Sequence, residues 1–211
     1  MSIRIGGENN KFGDGGKFVC GEYVTEGGIL FSLGSNGDFS FEIAMLNAFP
    51  TVTIHTFDCT GDFAHLAPKS GVVFHKWCLG DKDEIRDGDR IFKTWATILS
   101  ELSIRKVDYL KMDIEGFEWN TLPYILDAPK ELLPIQISFE LHLINGLLPK
   151  SGVPDYLVKP PGQSWFKPGQ SWFKPVMRLF KKFVSQGYGI VSNEINLYNS
   201  QCSEYVLVLA D

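Results

Sequence analysis

The stretch Asp108-Tyr-Leu-Lys-Met-Asp-Ile-Glu-Gly-Phe-Glu-Trp119 constrains the fold of this chain more than any other. It opens as a strand and closes in three carboxylates, Asp113, Glu115 and Glu118. In strand alternation Val107, Tyr109, Lys111, Asp113 and Glu115 share one face, and Leu110, Met112 and Ile114 the other. Apolar side chains on both faces fit a central strand of a parallel sheet. Carboxylates at its carboxyl end are then either solvated as the strand leaves the sheet or placed there for chemistry. Gly116 breaks the strand where open α/β sheets bind their ligands, which favours the second reading.

The rest of the chain repeats an alternation of strand and helix. Strands are predicted at 29–33, 51–57, 72–77, 107–113 and 135–141, where β-branched and aromatic residues cluster. Helices are predicted at 38–49, 62–67, 92–102, 117–126 (interrupted near Pro123) and 176–186. Asp38 or Asn36 is a candidate cap for the first, Pro50 stops it, and Gly187 closes the last. Residues 80–90 read as a charged loop. Strands at 188–195 and 205–209 read as a closing hairpin. The pattern predicts a doubly wound, mostly parallel α/β sheet with a C-terminal antiparallel hairpin. Residues 1–211 are expected to form one domain. Within it, residues 145–174 form a long loop that repeats Pro161-Gly-Gln-Ser-Trp-Phe-Lys167 directly as Pro168-Gly-Gln-Ser-Trp-Phe-Lys174. Two seven-residue copies make no solenoid. They read as a duplication in a tolerant surface loop or, through their exposed aromatics, as a lid over the acceptor side.

Composition excludes several function classes. A net charge of −5 leaves no footprint for nucleic acid or an anionic membrane. No apolar run approaches the ~20 residues that span a bilayer, and the amino terminus lacks a signal-peptide core. The default compartment is therefore cytoplasmic. Cys20, Cys59, Cys78 and Cys202 contain no CxxC pair, so they are expected as isolated buried thiols in a reducing compartment.

Four places offer chemistry. The turn Leu33-Gly-Ser-Asn-Gly-Asp38 puts Gly34, Ser35 and Gly37 between a strand and a helix, where glycine lets a ligand approach the backbone. It lacks the full GxGxxG pattern of a dinucleotide site. Asp58 ends the next strand 21 residues beyond Gly37, the spacing of a carboxylate that accepts from ribose hydroxyls; alone it reads equally as a cap before Thr60. The third place is the pair Asp113 and Glu115. The fourth is Glu140 with His142 at the end of the fifth predicted strand. If the fourth and fifth strands are neighbours, these four residues converge. His142 is then the candidate general base, oriented by Glu140 or Glu115.

Leu110-Lys-Met-Asp-Ile-Glu-Gly-Phe-Glu118 resembles the hallmark of the FkbM-type S-adenosylmethionine-dependent methyltransferases and of the animal methyltransferase-like proteins allied to them. Arg4-Ile-Gly-Gly7 with Gly13-Asp-Gly-Gly16, Phe31 to Gly34 through Glu42, Thr56-Phe-Asp-Cys-Thr60, Phe139-Glu-Leu-His142 and Cys202-Ser-Glu-Tyr205 resemble the same group in the same order. The tandem heptad does not. The resemblance implies a seven-stranded Rossmann-like methyltransferase fold with S-adenosylmethionine at the glycine turn. Gly34 and Gly37 would lie against the cofactor, Asp58 on the ribose and Asp113 near the methionine portion, with Arg4 and Asp14 closing the site. The resemblance carries no acceptor with it; the first hypothesis is O-methylation of a small-molecule or glycan hydroxyl. No metal is expected, although Asp113, Glu115 and Glu140 could hold a divalent cation. The alternatives are a non-catalytic binding module that keeps the fold and a nicotinamide-dependent oxidoreductase.

Overall fold

The structure is a computed structural model that describes residues 2–6, 16–143, 173–195 and 202–210. Its centre is a seven-stranded sheet. In chain order the strands are β1 (Ser2–Ile5), β2 (Lys17–Cys20), β3 (Ile29–Leu33), β4 (Thr53–Phe57), β5 (Val72–His75), β6 (Trp77–Leu79), β7 (Glu84–Arg86), β8 (Arg90–Lys93), β9 (Tyr109–Met112), β10 (Gln136–His142), β11 (Tyr188–Ile195) and β12 (Cys202–Leu209). The main sheet runs β11-β12-β10-β9-β3-β4-β5. Strands β5, β4, β3, β9 and β10 are parallel, and β12 lies antiparallel between β10 and β11. The chain winds from β3 outward to β5, then returns to place β9 on the other side of β3. This reversal is the topological switch point, and a crevice opens there beyond the carboxyl ends of β3 and β9.

The helices are α1 (Ser40–Ala48), α2 (Trp95–Glu101), α3 (Glu118–Ile125) and α4 (Phe173–Ser185). Trp95, Ile98, Leu122, Ile125, Leu179 and Phe183 pack from α2, α3 and α4 onto Leu110, Met112, Ile137 and Phe139. On the opposite face Phe41 and Met45 of α1 join Ile5, Val19, Leu30, Ile54 and Tyr109. Strands β9 and β10 are buried throughout, as expected of strands covered on both faces. The polar face of β10 lies beneath the β1–β2 pair, where the Cys20 N–H donates to Gln136 Oε1 at 2.7 Å.

Several local expectations need correction. The predicted helix at 62–67 is a series of turns. The charged loop at 80–90 instead contributes to a second sheet, β6-β8-β7. Asp83 fastens it by accepting from the Thr94 N–H (2.7 Å) and the Thr97 hydroxyl (2.6 Å) at the start of α2. The predicted third strand breaks at Lys76, so Trp77 belongs to this second sheet. The helix at 92–102 begins only at Trp95, because Phe92 and Lys93 pair in β8. Helix α3 runs unbroken through Pro123. Residues 145–172 of the expected loop lie outside the described residues, and Phe173 and Lys174 already belong to α4. Cys20 and Cys202 are free and buried as expected, but Cys59 and Cys78 form a disulfide. The pairing was invisible in sequence because it depends on β4 and β5 being neighbours, which brings the segments after them to one sheet edge.

Candidate active site

The crevice at the switch point holds a cavity of about 450 Å³, within the range of small-ligand sites. Its first side is the turn after β3. Gly34 has φ +80°, and a Cβ there would collide with the Asp113 carbonyl oxygen. The turn crosses the end of β9 so closely that only glycine fits. Asp58, at the end of β4, holds this turn. Its Oδ2 accepts from the N–H groups of Ser35 (3.0 Å) and Asn36 (2.7 Å), and its Oδ1 accepts from the Thr60 N–H (2.9 Å) and hydroxyl (2.6 Å). Burial alone would raise its pKa, but these hydrogen bonds outweigh it and keep the carboxylate ionised below its usual range. Lys111 donates from below to the Gly34 carbonyl.

The second side is a buried charge cluster. Lys17, 1% exposed on β2, donates to Asp113 Oδ2 (3.2 Å) and Glu204 Oε1 (2.5 Å). Burial opposes the charge on Lys17, yet its two carboxylate neighbours raise its pKa above the ordinary lysine value. Burial raises Asp113 as well, but Lys17 and Lys111 outweigh it and depress that pKa. Glu204 is pushed up to about 7, burial dominating over Lys17.

His142 ends β10 with its side chain 4% exposed. Nδ1 lies 3.3 Å from Glu118 Oε1, and Nε2 lies 3.5 Å from Glu115 Oε2 and 4.0 Å from Glu140 Oε2. The Glu118 contact is an ion pair rather than a directed hydrogen bond. Burial lowers the His142 pKa, but Glu118, Glu140 and Asp113 prevail and lift it to about 9. Glu118 is fully buried and accepts from the N–H groups of Ile114 and Gly116, both at 2.9 Å. It therefore fixes the break after β9 and orients His142 together. Trp119 Nε1 donates to the His142 carbonyl at 2.8 Å. Among the described residues two sets of atoms could hold a cation, each set lying within 4.8 Å: Asp113, Glu115 and His142, and Glu140, His142 and Cys202.

A family model described as "Methyltransferase domain" matches residues 1–209. The chain belongs to this family. Among curated relatives, "Probable methyltransferase-like protein 24" of Homo sapiens is 30% identical over 121 residues, which is 54% of this chain and 32% of that protein. The Rattus norvegicus protein of the same name matches equally. The match thus covers about a third of those proteins' length. Among solved structures, the Methanococcus jannaschii fibrillarin pre-rRNA processing protein superposes with TM-score 0.54 at 9% identity, over 88% of this chain and 67% of that one. A fibrillarin/Nop5p complex gives TM-score 0.55 at 8% identity, over 89% and 75%. These likenesses are of fold, and the fold is the Rossmann-like methyltransferase fold expected from the sequence.

In this methyltransferase domain Gly34, Ser35, Asp58, Asp113 and Glu115 line the cavity, as do Asn36, Asp38, Trp77 and Phe92. Gly37 and Arg4 are not among the lining residues. Arg4 Nε instead lies 3.6 Å from Glu194 on β11. Asp14 lies outside the described residues. Glu140 and His142 sit behind Asp113 and Glu115 rather than on the cavity wall. Sequence reasoning missed Lys17, Glu204 and the orienting role of Glu118. Glu118 lay within the hallmark segment and could have been singled out. Lys17 is far from it in sequence and carried no signal; Glu204 lay within the Cys202-Ser-Glu-Tyr205 segment of the resemblance but was given no role.

Proposed function

We propose that the chain is an S-adenosylmethionine-dependent methyltransferase of FkbM type that methylates a hydroxyl of a small molecule or glycan, with residues 1–211 acting as one domain. The observation that carries this reading is a cavity with a hydrogen-bonded turn on one side and Asp113 and Glu115 on the other, the latter backed by a buried His–carboxylate cluster. The cavity fits the cofactor in size. It also fits in chemistry, with the narrow approach at Gly34, polar groups at Asn36, Asp38 and Asp58, and an ionised Asp113. When bound, the cofactor supplies an electrophilic methyl group on a sulfonium.

The chain's own residues do the rest. The 34–37 turn and Asp58 hold the nucleoside half, with the Thr60 contacts of Asp58 being those a ribose diol can replace. Asp113 and Glu115 place negative charge where the cationic end lies. His142 takes the acceptor proton at Nε2, and Glu118 stabilises the resulting cation at Nδ1. With its pKa near 9, His142 is the base only in its deprotonated fraction, so turnover should climb as pH rises toward 9. Walls formed by Phe41, Phe57, Trp77 and Phe92 exclude water from the cavity.

The acidic rim and the net charge of −5 favour a neutral or cationic acceptor over a polyanion. The Methanococcus jannaschii pre-rRNA processing protein shares the fold, and that likeness alone does not alter the preference. A binding module without chemistry would gain nothing from burying Glu118 and Glu140 beside His142. A nicotinamide enzyme would want the third glycine that the turn lacks. Calorimetry with S-adenosylhomocysteine and with NAD tests the reading. Binding of the first alone supports it; binding of NAD alone, or of neither, sinks it. Screening hydroxyl and amine acceptors with labelled cofactor then tests the acceptor class.

A further inference from the structure

The Cys59–Cys78 disulfide is built into the cavity wall. The Cα atoms are 5.1 Å apart, ordinary for a cystine. Both residues line the cavity. Cys59 lies between Asp58, which holds the Ser35–Asn36 turn, and Thr60, which holds Asp58. Cys78 is the middle residue of β6 and pairs with Phe92 of β8, another wall residue. The bond therefore ties the segment that fastens the glycine turn to the small sheet that forms the opposite wall. The other two cysteines do not compete for the pairing. Cys20 and Cys202 are buried, and burial with the Glu140 carboxylate pushes the Cys202 thiol up to about 12, so it stays protonated and poor at exchange.

We propose that the Cys59–Cys78 disulfide is a positioning element of the cofactor site: the chain binds its S-adenosyl cofactor tightly only when oxidised, and works where protein thiols are oxidised. This rests on the reading of the cavity as a cofactor site. Reduction by a dithiol transfers two electrons and two protons to the cystine. The S–S bond breaks, Cys59 and Cys78 become thiols, and the reductant leaves as its own disulfide. Two thiols cannot stay at bonding distance, so the walls part. Cys59 is then free to swing, and Asp58 loses its fixed aim at the 35–36 turn. A disulfide-donating oxidant reverses each step. Disulfides persist in secretory and extracellular compartments, so the cytoplasmic default drawn from sequence gives way to an oxidising one.

The test is calorimetry with S-adenosylhomocysteine on chain produced in an oxidising compartment. It is measured as purified, after excess dithiothreitol, and after re-oxidation, beside the Cys59→Ser/Cys78→Ser double variant. All are held at a temperature where circular dichroism reports a folded chain, since opening a covalent loop also lowers stability. The expected result is a tenfold or greater loss of affinity on reduction, full recovery on re-oxidation and the same loss in the double variant. Alkylation and mass spectrometry should find the Cys59–Cys78 cross-link in the purified chain. Equal affinity in every state overturns the inference and leaves the cofactor reading standing. Binding in no state overturns both. Free alkylation of Cys59 and Cys78 in the purified chain also overturns the inference. So does unfolding of the reduced chain and the double variant at every temperature, which would make the bond a folding staple alone.

Discussion

On the β3–β4 side of the switch point, Asp58 gives both carboxylate oxygens to four protein donors, and the turn it holds is tight enough to exclude any side chain at Gly34. On the β9–β10 side, buried charged groups are only partly satisfied. Glu204 Oε2 and His142 Nδ1 are buried with no hydrogen-bond partner among the described residues, and the pKa values of Glu204 and His142 are pushed to about 7 and about 9. The difference separates two kinds of work. Saturated groups hold a shape and resist change. Partly satisfied buried charges sit near a proton transfer and cost stability. On the function proposed above, one half of the site is organised to bind and the other to react.

The two halves should fail differently when mutated. Gly34→Ala should cause the largest loss, about 3 kcal/mol or more of folding stability in urea unfolding, because it joins a positive φ to a backbone collision. A stable Gly34→Ala chain would mean that the turn does not need its close crossing. Next, His142→Ala should cut turnover by about 10²–10⁴-fold while leaving cofactor affinity nearly unchanged. Full turnover on the true acceptor would make His142 structural; lost cofactor binding would put it in the wrong half. Asp58→Ala should do the converse, weakening S-adenosylhomocysteine binding by roughly 1–3 kcal/mol in calorimetry. Unchanged affinity in a folded variant would remove Asp58 from the site.

The smallest effect is on pH dependence. His142 binds its proton more tightly when folded, at about 9 against a value of 6.5 in the unfolded chain. That preference stabilises the fold fully below pH 6.5 and is lost as pH rises through about 9. Glu118→Gln removes the largest favourable cause and should flatten the alkaline fall by about 1 kcal/mol. Identical pH–stability curves for the two chains would contradict the pairing.

The fold was legible because its signals are local. Apolar residues on both faces of 109–112 identify an interior strand, and the glycine turn after β3 and Asp58 after β4 mark the switch-point edge. The convergence of Asp113 and Glu115 with Glu140 and His142 followed from one assumption, that β9 and β10 are neighbours, and they are. Legibility failed where long-range pairing decides. Lys17 reaches Asp113 across 96 positions and Glu204 across 187. The strand at 84–86 hides among charges because its stability comes from β8 and from Asp83 on Thr94 and Thr97, not from an apolar pattern.

A crystal structure with S-adenosylhomocysteine tests the division of the site most directly. The nucleoside is expected between the 34–37 turn and Asp58, against the Cys59–Cys78 wall, with the sulfur end toward Asp113 and Glu115 and with His142 left uncontacted. A ligand in the reverse orientation, or one seated on His142 and Glu140 away from the glycine turn, would contradict it.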